Sequence, residues 1–246
     1  MGKEGQLKTS LERCCEREDI QGLGCSTLER NIIREFKRAY HQYGQHPPVE
    51  ESLIEWISIM QHHGAPTRLL DFTYSLYVAA YFALEFASEK ADDACAVWAI
   101  RAPWASKQSA QAFEIMKKEQ TEKLLEPTES SHEPAYRALF FEPPFVKVTA
   151  PISPFRLTER LRIQKGIFMA PGDLSVGFID NLTALSRHDS DENVIQIILP
   201  RKLRTVALEK LHYMNISRTS LFPGLDGYAQ SLGVFHPSFR PDPYGG

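Results

Sequence analysis

The stretch from Gln61 to Ala87 holds the polar side chains of this chain that are best placed to do chemistry. Its first part, QHHGAPTRLLDFT, brings two histidines together with Thr67, Arg68 and Asp71, and mainly apolar segments precede and follow it. Polar and ionisable groups between core-forming helices are costly to bury unless they pair or bind a ligand. The sequence therefore predicts either an internal brace or a ligand site.

Arg68 and Asp71 admit two interpretations. As a buried pair, the guanidinium would hold the carboxylate with two hydrogen bonds and fix the loop. As a site, Arg68 would bind a phosphate or a substrate carboxylate, while Asp71 caps the next turn or helix. In the second interpretation Gln61, Thr67, Arg68 and Asp71 are candidate ligand-binding residues, and His62 is a candidate catalytic residue.

A metal site is not expected in this chain. His62 and His63 are consecutive, so on a helix they point about 100° apart and cannot easily share one ion. The four cysteines form a poor zinc set because two of them are adjacent, and they are expected to be reduced thiols: Cys14, Cys15, Cys25 and Cys95.

Two later segments hold further candidate residues. Gln164 follows Arg160 and precedes Gly166, where a helix is predicted to pass into a strand and the backbone can approach a ligand closely. Gly166 could equally be a helix C-cap that leaves Gln164 exposed. Asp226, in SLFPGLDG, is a candidate catalytic acid, and it could equally cap the last helix.

Apolar spacing predicts the elements that position these residues. Ser26 to Glu29 has the form of a capping box at the start of a helix over about 27–43. A second helix ends at Gly64, and a third, capped by Ser75, is apolar around most of its circumference and should be central and buried. Strands are predicted at 94–100, 145–150, 166–170 and 194–199, and further helices at 155–164 and 202–214.

This order of elements predicts an α+β fold, with a helical N-terminal third packed on a mixed or antiparallel sheet. One domain over 1–246 is expected, with a polar insertion at about 102–134 and a flexible tail at about 237–246.

The composition of the chain argues against two classes of function. The formal net charge is −3, and no stretch of the sequence concentrates lysine and arginine without interleaved acids. Nucleic-acid binding is therefore not expected. The longest apolar run is too short to cross a bilayer, and a cytoplasmic protein is expected.

Several of these segments together resemble the FRG domain, a family of mostly bacterial and phage proteins. The resemblance rests on QHHGAPTRLLDFT followed by YVAAYFAL, AVWAI, QKGIF and SLFPGLDG, together with LKTSLER and EFKRAY nearer the start. The aromatic-Arg-Gly signature that names the family would precede LKTSLER, and here that place holds GKEGQ. Two explanations are open: a chain that starts late, or a natural variant without that arginine.

The resemblance implies little about activity, because the family has been described as of unknown function. Its arrangement is similar to that of an ADP-ribosyltransferase, which implies NAD as a substrate and an effector role in bacterial or phage conflict. In that reading His62 and Arg68 orient the dinucleotide, and Asp226 stabilises the positive charge that develops at the sugar. The alternative is a non-catalytic ligand-sensing or protein-interaction module in which Arg68 is fully used by Asp71. Whether the chain is an enzyme stays open at this point, and no protein partner is indicated.

Overall fold

The first third of the chain is mainly helical, as the apolar spacing predicts, although a short helix at its start and a short strand after residue 69 are not predicted. The structure, a computed structural model, describes residues 7–87, 94–116, 132–185 and 191–233. The α-helices in these residues are α1 (Ser10–Arg17), α2 (Leu23–Tyr43), α3 (Leu53–His62), α4 (Leu76–Leu84), α5 (Ala102–Met116), α6 (His132–Phe140), α7 (Glu159–Ile163), α8 (Phe178–Leu185), α9 (Arg204–Tyr213), α10 (Arg218–Leu221) and α11 (Leu225–Ser231).

Two small antiparallel sheets complete the fold, so the chain is α+β, as the sequence predicts. The strands are β1 (Leu70–Thr73), β2 (Ala94–Ile100), β3 (Thr149–Ile152), β4 (Gly166–Pro171) and β5 (Val194–Pro200). The first sheet has the order β1-β4-β3, and β2 pairs with β5 in the second. In the first sheet Leu70 lies opposite Met169, and Thr73 lies opposite Gly166. The apolar GIFMA run predicts the central strand β4 because both faces of that strand are covered.

Helices cover each sheet, and apolar side chains form the contacts between the helices and the strands. Side chains from α2, α3, α5, α6 and α8 form the larger core with the first sheet. A smaller core joins α4 and α9 to the second sheet through Val78, Leu84 and Leu208. Because α3 leads into β1 and β1 leads into α4, the QHHGAPTRLLDFT segment lies where the two cores meet.

The predicted start of α2 is wrong. The helix begins at Leu23, after Gly22, so Ser26 and Glu29 lie inside the helix and form no cap. Glu29 is 1% exposed because it faces the core. The Thr-x-x-Glu spacing at Thr9 is the one that caps a helix: its Oγ1 accepts from the Glu12 amide at 3.0 Å, at the start of α1.

Helix α4 is capped by Ser75, as predicted, but it is not buried all round. Ser75 Oγ accepts a hydrogen bond from the Val78 amide at 3.4 Å. Tyr77 and Leu76 are each 55% exposed, whereas Tyr81 is buried. The apolar circumference of this helix therefore overstates its burial, because its first turn projects beyond the elements that cover the rest.

The segment predicted as a polar insertion at about 102–134 is helical where the structure describes it, and part of it is buried in the core. Its first half is α5, in which Ala105 and Phe113 are fully buried and Trp104 is 8% exposed. These side chains are separated by polar residues that face outward, so the mean composition hides the apolar stripe. Residues 117–131 of the predicted insertion, and the predicted tail at about 237–246, lie outside the described residues.

Two elements near Pro151 and Pro154 are shifted from their predicted positions. The strand predicted at 145–150 is β3, Thr149–Ile152. The helix predicted at 155–164 is shorter, and Thr158 caps it by accepting a hydrogen bond from the Leu161 amide at 3.2 Å. Proline restricts the preceding residue to extended backbone, so the chain here runs extended further than apolar spacing indicates.

Candidate functional site

Helix α3 and strand β1 bring Gln61 and Asp71 together across a tight turn. Gly64, with φ of +78°, lets the chain reverse direction after the helix ends. The Nε2 group of Gln61 then donates a hydrogen bond of 3.0 Å to Oδ2 of Asp71. The Oδ1 atom of Asp71 accepts no hydrogen bond from the described residues, so one carboxylate oxygen is available to a ligand.

Thr67 holds Gln61 in this orientation from inside the fold. Its hydroxyl donates to Oε1 of Gln61 and accepts from the Leu69 amide at 3.2 Å. The Thr67 backbone is itself fixed to α1, because its amide donates to Ser10 Oγ at 3.0 Å and its carbonyl accepts from the Leu11 amide at 3.1 Å. Since Thr67 is 1% exposed, its contribution to the site is to orient Gln61.

Arg160, on α7, supplies a positive charge to the same surface. Its guanidinium lies 4.5 Å from the centroid of the Phe222 ring, in a cation–π arrangement. The side chain is half-buried, and among the described residues it donates no hydrogen bond and forms no ion pair. The carboxylate of Asp71 favours the charged form of Arg160 through space, without a direct contact between the two side chains. Burial lowers the pKa of Arg160, and Asp71 opposes that effect.

The neighbouring Arg218 is already neutralised. It also stacks on Phe222, at 4.5 Å from the ring centroid. Its guanidinium forms an ion pair with the buried carboxylate of Glu85, and Glu85 accepts a further hydrogen bond of 3.0 Å from the Tyr81 hydroxyl. Of the two arginines on the Phe222 ring, therefore, Arg160 carries the charge that no described carboxylate pairs with.

We call Gln61, His62, Asp71 and Arg160 the polar site. Asp71 is exposed at the surface, yet desolvation of its carboxyl group raises its pKa, against the hydrogen bond from Gln61 and the charge of Arg160. Desolvation lowers the pKa of His62 from 6.5, and the neighbouring His63 and Arg160 lower it further. His62 is therefore a neutral imidazole at pH 7, able to donate one hydrogen bond and accept another.

This arrangement can bind a polar anionic ligand. A guanidinium presents a planar fork of donors that matches phosphate or carboxylate oxygens. The free oxygen of Asp71 can accept hydrogen bonds from hydroxyl groups, and Gln61 keeps that carboxylate in place. The polar site therefore provides one cation, one oriented acceptor and one neutral imidazole on a single surface.

Arg68 lies in the interior rather than in the polar site. Its Nε donates to both carboxylate oxygens of Glu29, at 2.9 and 3.0 Å, and both side chains are 1% exposed. The guanidinium also donates to the Pro171 carbonyl at 3.3 Å and lies 4.5 Å from the Phe141 ring centroid. The prediction that Asp71 would be its partner is wrong. The partner is 39 residues away on α2, and spacing within the loop could not reveal it.

Gln164 and Asp226 are the remaining predicted site residues. Gln164 is 9% exposed, and its Nε2 donates to the Leu221 carbonyl at 3.1 Å, which joins α7 to α10. Asp226 lies in the first turn of α11 and is exposed. The structure thus brings Gln61, His62 and Asp71 together, whereas no hydrogen bond or ion pair within the described part of the chain connects Asp226 with them.

Sequence reasoning missed three residues that shape this region. Phe222 is the ring on which Arg160 stacks, Glu29 neutralises Arg68, and Glu85 neutralises Arg218. A search for acids at the ends of apolar helices would have found Glu85, because a buried acid there requires a basic partner, whereas Glu29 stands among other charged residues of α2. Glu85 interrupts an apolar helix, and that position is such an indication.

The described residues contain no group of three or more His, Cys, Asp and Glu side chains that could hold a metal ion. All four cysteines are free thiols. Burial and its neighbour Cys25 raise the pKa of Cys15 to about 12, which makes that thiol unreactive. In the part of the chain that the structure covers, no helix has both the length and the apolar character needed to cross a bilayer.

Comparison with known proteins identifies one part of the chain. No curated protein and no solved structure matches the chain. The family model of the FRG domain matches residues 2–93, a range that contains Gln61, His62 and Asp71 of the polar site and ends before Arg160.

Proposed function

Since residues 2–93 of this chain form an FRG domain, we propose that the chain binds a phosphorylated nucleotide at the polar site, and that NAD is the first ligand to test. The family itself carries no established activity, so the proposal is supported by the geometry of the site. An effector role in bacterial or phage conflict, which the sequence resemblance implies, is part of the same proposal.

The observation that carries the proposal is the unpaired charge of Arg160. A half-buried guanidinium loses part of its hydration, and that loss is costly unless hydrogen bonds to an anion replace it. The described residues supply no hydrogen-bond acceptor to this guanidinium; they supply the face of the Phe222 ring, at 4.5 Å, and the more distant charge of Asp71. A phosphate of a bound nucleotide would supply the missing acceptors in the bidentate geometry that arginine favours.

The neighbouring groups fit the rest of such a ligand. The Oδ1 atom of Asp71 would accept hydrogen bonds from ribose hydroxyls, in the orientation that Gln61 maintains. The carboxylate of Glu85 already compensates Arg218, so a phosphate would meet the net charge of Arg160. His62, as a neutral imidazole, would donate to or accept from the ligand.

Transfer of ADP-ribose from NAD is the enzymatic form of this proposal. His62 would orient the nucleotide, and Asp226 would stabilise the positive charge that develops at the ribose. This form requires the α11 carboxylate to face the ligand in the bound protein. It predicts that the chain releases nicotinamide from NAD and that Asp226→Asn abolishes the release without abolishing binding.

A non-catalytic sensing module is the second candidate, and the position of Asp226 favours it. Asp226 is exposed and makes no described contact with the polar site, while the Glu29 carboxylate uses the guanidinium of Arg68. A module of this kind would bind nucleotide at the same four residues and leave it intact. Binding without nicotinamide release distinguishes it from the transferase.

The test compares Arg160→Gln with Arg162→Gln, an exposed arginine on the same helix. Calorimetric titration with NAD, ADP-ribose and AMP should show binding to the unaltered chain. Arg160→Gln should weaken that binding by about tenfold or more, the loss of one charge-assisted phosphate contact. Arg162→Gln should bind as the unaltered chain does. Absence of binding to any of the three nucleotides, or equal losses in the two variants, would overturn the proposal.

A further inference from the structure

A second cleft, separate from the polar site, lies between the first turns of α3 and the segment that leads into α7. It has a volume of about 270 Å³. Pro47 and Pro48 form one part of its wall, and Ile59 and Leu157 form another. Its polar lining includes three groups that the described part of the fold leaves partly unpaired: the Ser58 hydroxyl, the Glu55 carboxylate and the Arg156 guanidinium.

The hydroxyl of Ser58 is the first of these groups. Ser58 is 2% exposed and lines the cleft. Its Oγ atom is buried and has no hydrogen-bond partner in the described residues. A serine in a helix usually donates to the carbonyl one turn earlier. A buried hydroxyl without a partner is unfavourable, and rotation of the Ser58 side chain toward the cleft that the residue lines would let a ligand supply the partner.

Glu55 and Arg156 are the other two groups. The side chain of Glu55 is 11% exposed, and its one ion-pair contact among the described residues is with Arg156, at 4.0 Å. That distance is long for a charge-assisted hydrogen bond. Arg156 lies at the rim, with 68% of its side chain exposed. A carboxylate at the wall and a guanidinium at the rim are thus paired loosely enough for a ligand to enter between them.

We propose that this cleft binds a free α-amino acid with an apolar side chain. The ammonium group would donate to Glu55, and the carboxylate would accept from Arg156 at the rim. The Ser58 hydroxyl would donate to the same carboxylate. The apolar side chain would lie against Pro47, Ile59 and Leu157. A zwitterion satisfies all three polar groups at once, which neither a simple amine nor a simple acid does.

The proposal concerns a different set of residues from the nucleotide proposal, and either can fail without the other. The probe is L-leucine, titrated into the full chain by calorimetry. Two analogues each remove one charge: 3-methylbutylamine lacks the carboxylate, and 4-methylpentanoate lacks the ammonium. Leucine should bind, and each analogue should bind about tenfold or more weakly.

Three variants test the roles of the residues. Glu55→Gln and Ser58→Ala should each weaken leucine binding by about tenfold. Glu51→Gln, an exposed control on the chain just before the helix, should leave binding unchanged. Ser58→Ala should also melt at the same or a higher temperature than the unaltered chain, because it removes a buried hydroxyl without a partner. A merely structural serine would instead lower the melting temperature.

Several results would overturn the proposal. The first is absence of leucine binding at millimolar concentration in a well-folded chain. The second is unchanged leucine affinity in Ser58→Ala and Glu55→Gln, which would indicate that ordered water satisfies the hydroxyl. The third is equal affinity for leucine and 3-methylbutylamine, which would mean that the cleft binds any amine.

Discussion

Arg68, in the interior, and Arg160, half-buried at the surface, are arginines in two different environments. Arg68 is fully enclosed and has a carboxylate, a carbonyl and two aromatic rings as partners. Arg160 is half-buried and has the Phe222 ring as its contact. The first residue is therefore expected to act on stability, and the second on ligand binding.

Replacing Arg68 by alanine tests the structural role. Arg68→Ala would leave the carboxylate of Glu29 buried without a partner, and it should lower the free energy of unfolding by about 3 to 5 kcal/mol. Urea unfolding followed by circular dichroism measures the change. The control is the double variant Arg68→Met with Glu29→Leu, which removes both charges and should recover most of the loss. A single-variant loss below about 1 kcal/mol would contradict the buried-pair account.

The carboxyl group of Asp71 makes stability depend on pH in a defined direction. Its pKa in the folded chain is raised above the ordinary value of 3.8, chiefly by desolvation. From about that pH upward, the folded chain binds more protons than the unfolded chain, so this group lowers stability as pH rises. His62, with a lowered pKa, acts in the opposite direction just below pH 6.5.

Asp71→Asn isolates the first effect, because the amide oxygen of asparagine can still accept from Gln61. The variant should be more stable than the unaltered chain at pH 7, and the difference should shrink as pH falls toward 3.8. Urea unfolding of both proteins across this range measures the difference. A difference that is the same at every pH would show that the ionisation of Asp71 does not matter to the fold.

At the scale of elements, the short helices α10 and α11 hold the ring that supports Arg160. A Cβ atom placed on Gly227, in α11, would lie 1.8 Å from the Phe222 carbonyl oxygen. Only glycine permits this approach, because the obstructing atom belongs to the backbone and cannot rotate away. The position of Phe222 relative to Arg160 therefore depends on a residue outside the polar site.

Gly227→Ala tests this dependence. The substitution should push α11 away from Phe222 and destabilise the fold by about 1 to 3 kcal/mol. It should also weaken nucleotide binding if Phe222 supports the site. Gly233→Ala is the matched control, because its nearest neighbour atom would be 3.6 Å away, an ordinary contact. Urea unfolding and NAD titration of both variants provide the two measurements, and equal behaviour of the two would refute the dependence.

Sequence patterns predict elements well where a contiguous apolar run is bounded by polar residues or turns. Strands β2, β4 and β5 are of this kind, and their predicted positions are confirmed. The predictions fail where an apolar stripe is interleaved with polar residues, as in α5, or where prolines extend the backbone before α7. A contiguous apolar run is therefore sufficient to locate a strand, whereas the position and burial of elements such as α5 and α7 depend on tertiary packing.

Pairings between distant residues explain most of what the sequence could not predict about the site. Gln61 and Asp71 are only ten residues apart, so a contact between them can be inferred from the sequence of one loop. The choice of Glu29 as the partner of Arg68, and of Phe222 as the support of Arg160, depends on how helices far apart in the chain pack together. No spacing rule within one segment contains that information.

At the scale of the whole molecule, the segment that matches the family model is hydrogen-bonded to residues outside the match. In the described sheet β1 pairs with β4, whose residues 166–171 lie well beyond the matched range of 2–93. Arg68, inside the match, also donates to the carbonyl of Pro171, outside it. The unit that sequence comparison recognises is therefore not a unit that can complete its own hydrogen bonding. A chain cut after residue 93 would lose both the partner strand of β1 and one acceptor of the Arg68 guanidinium.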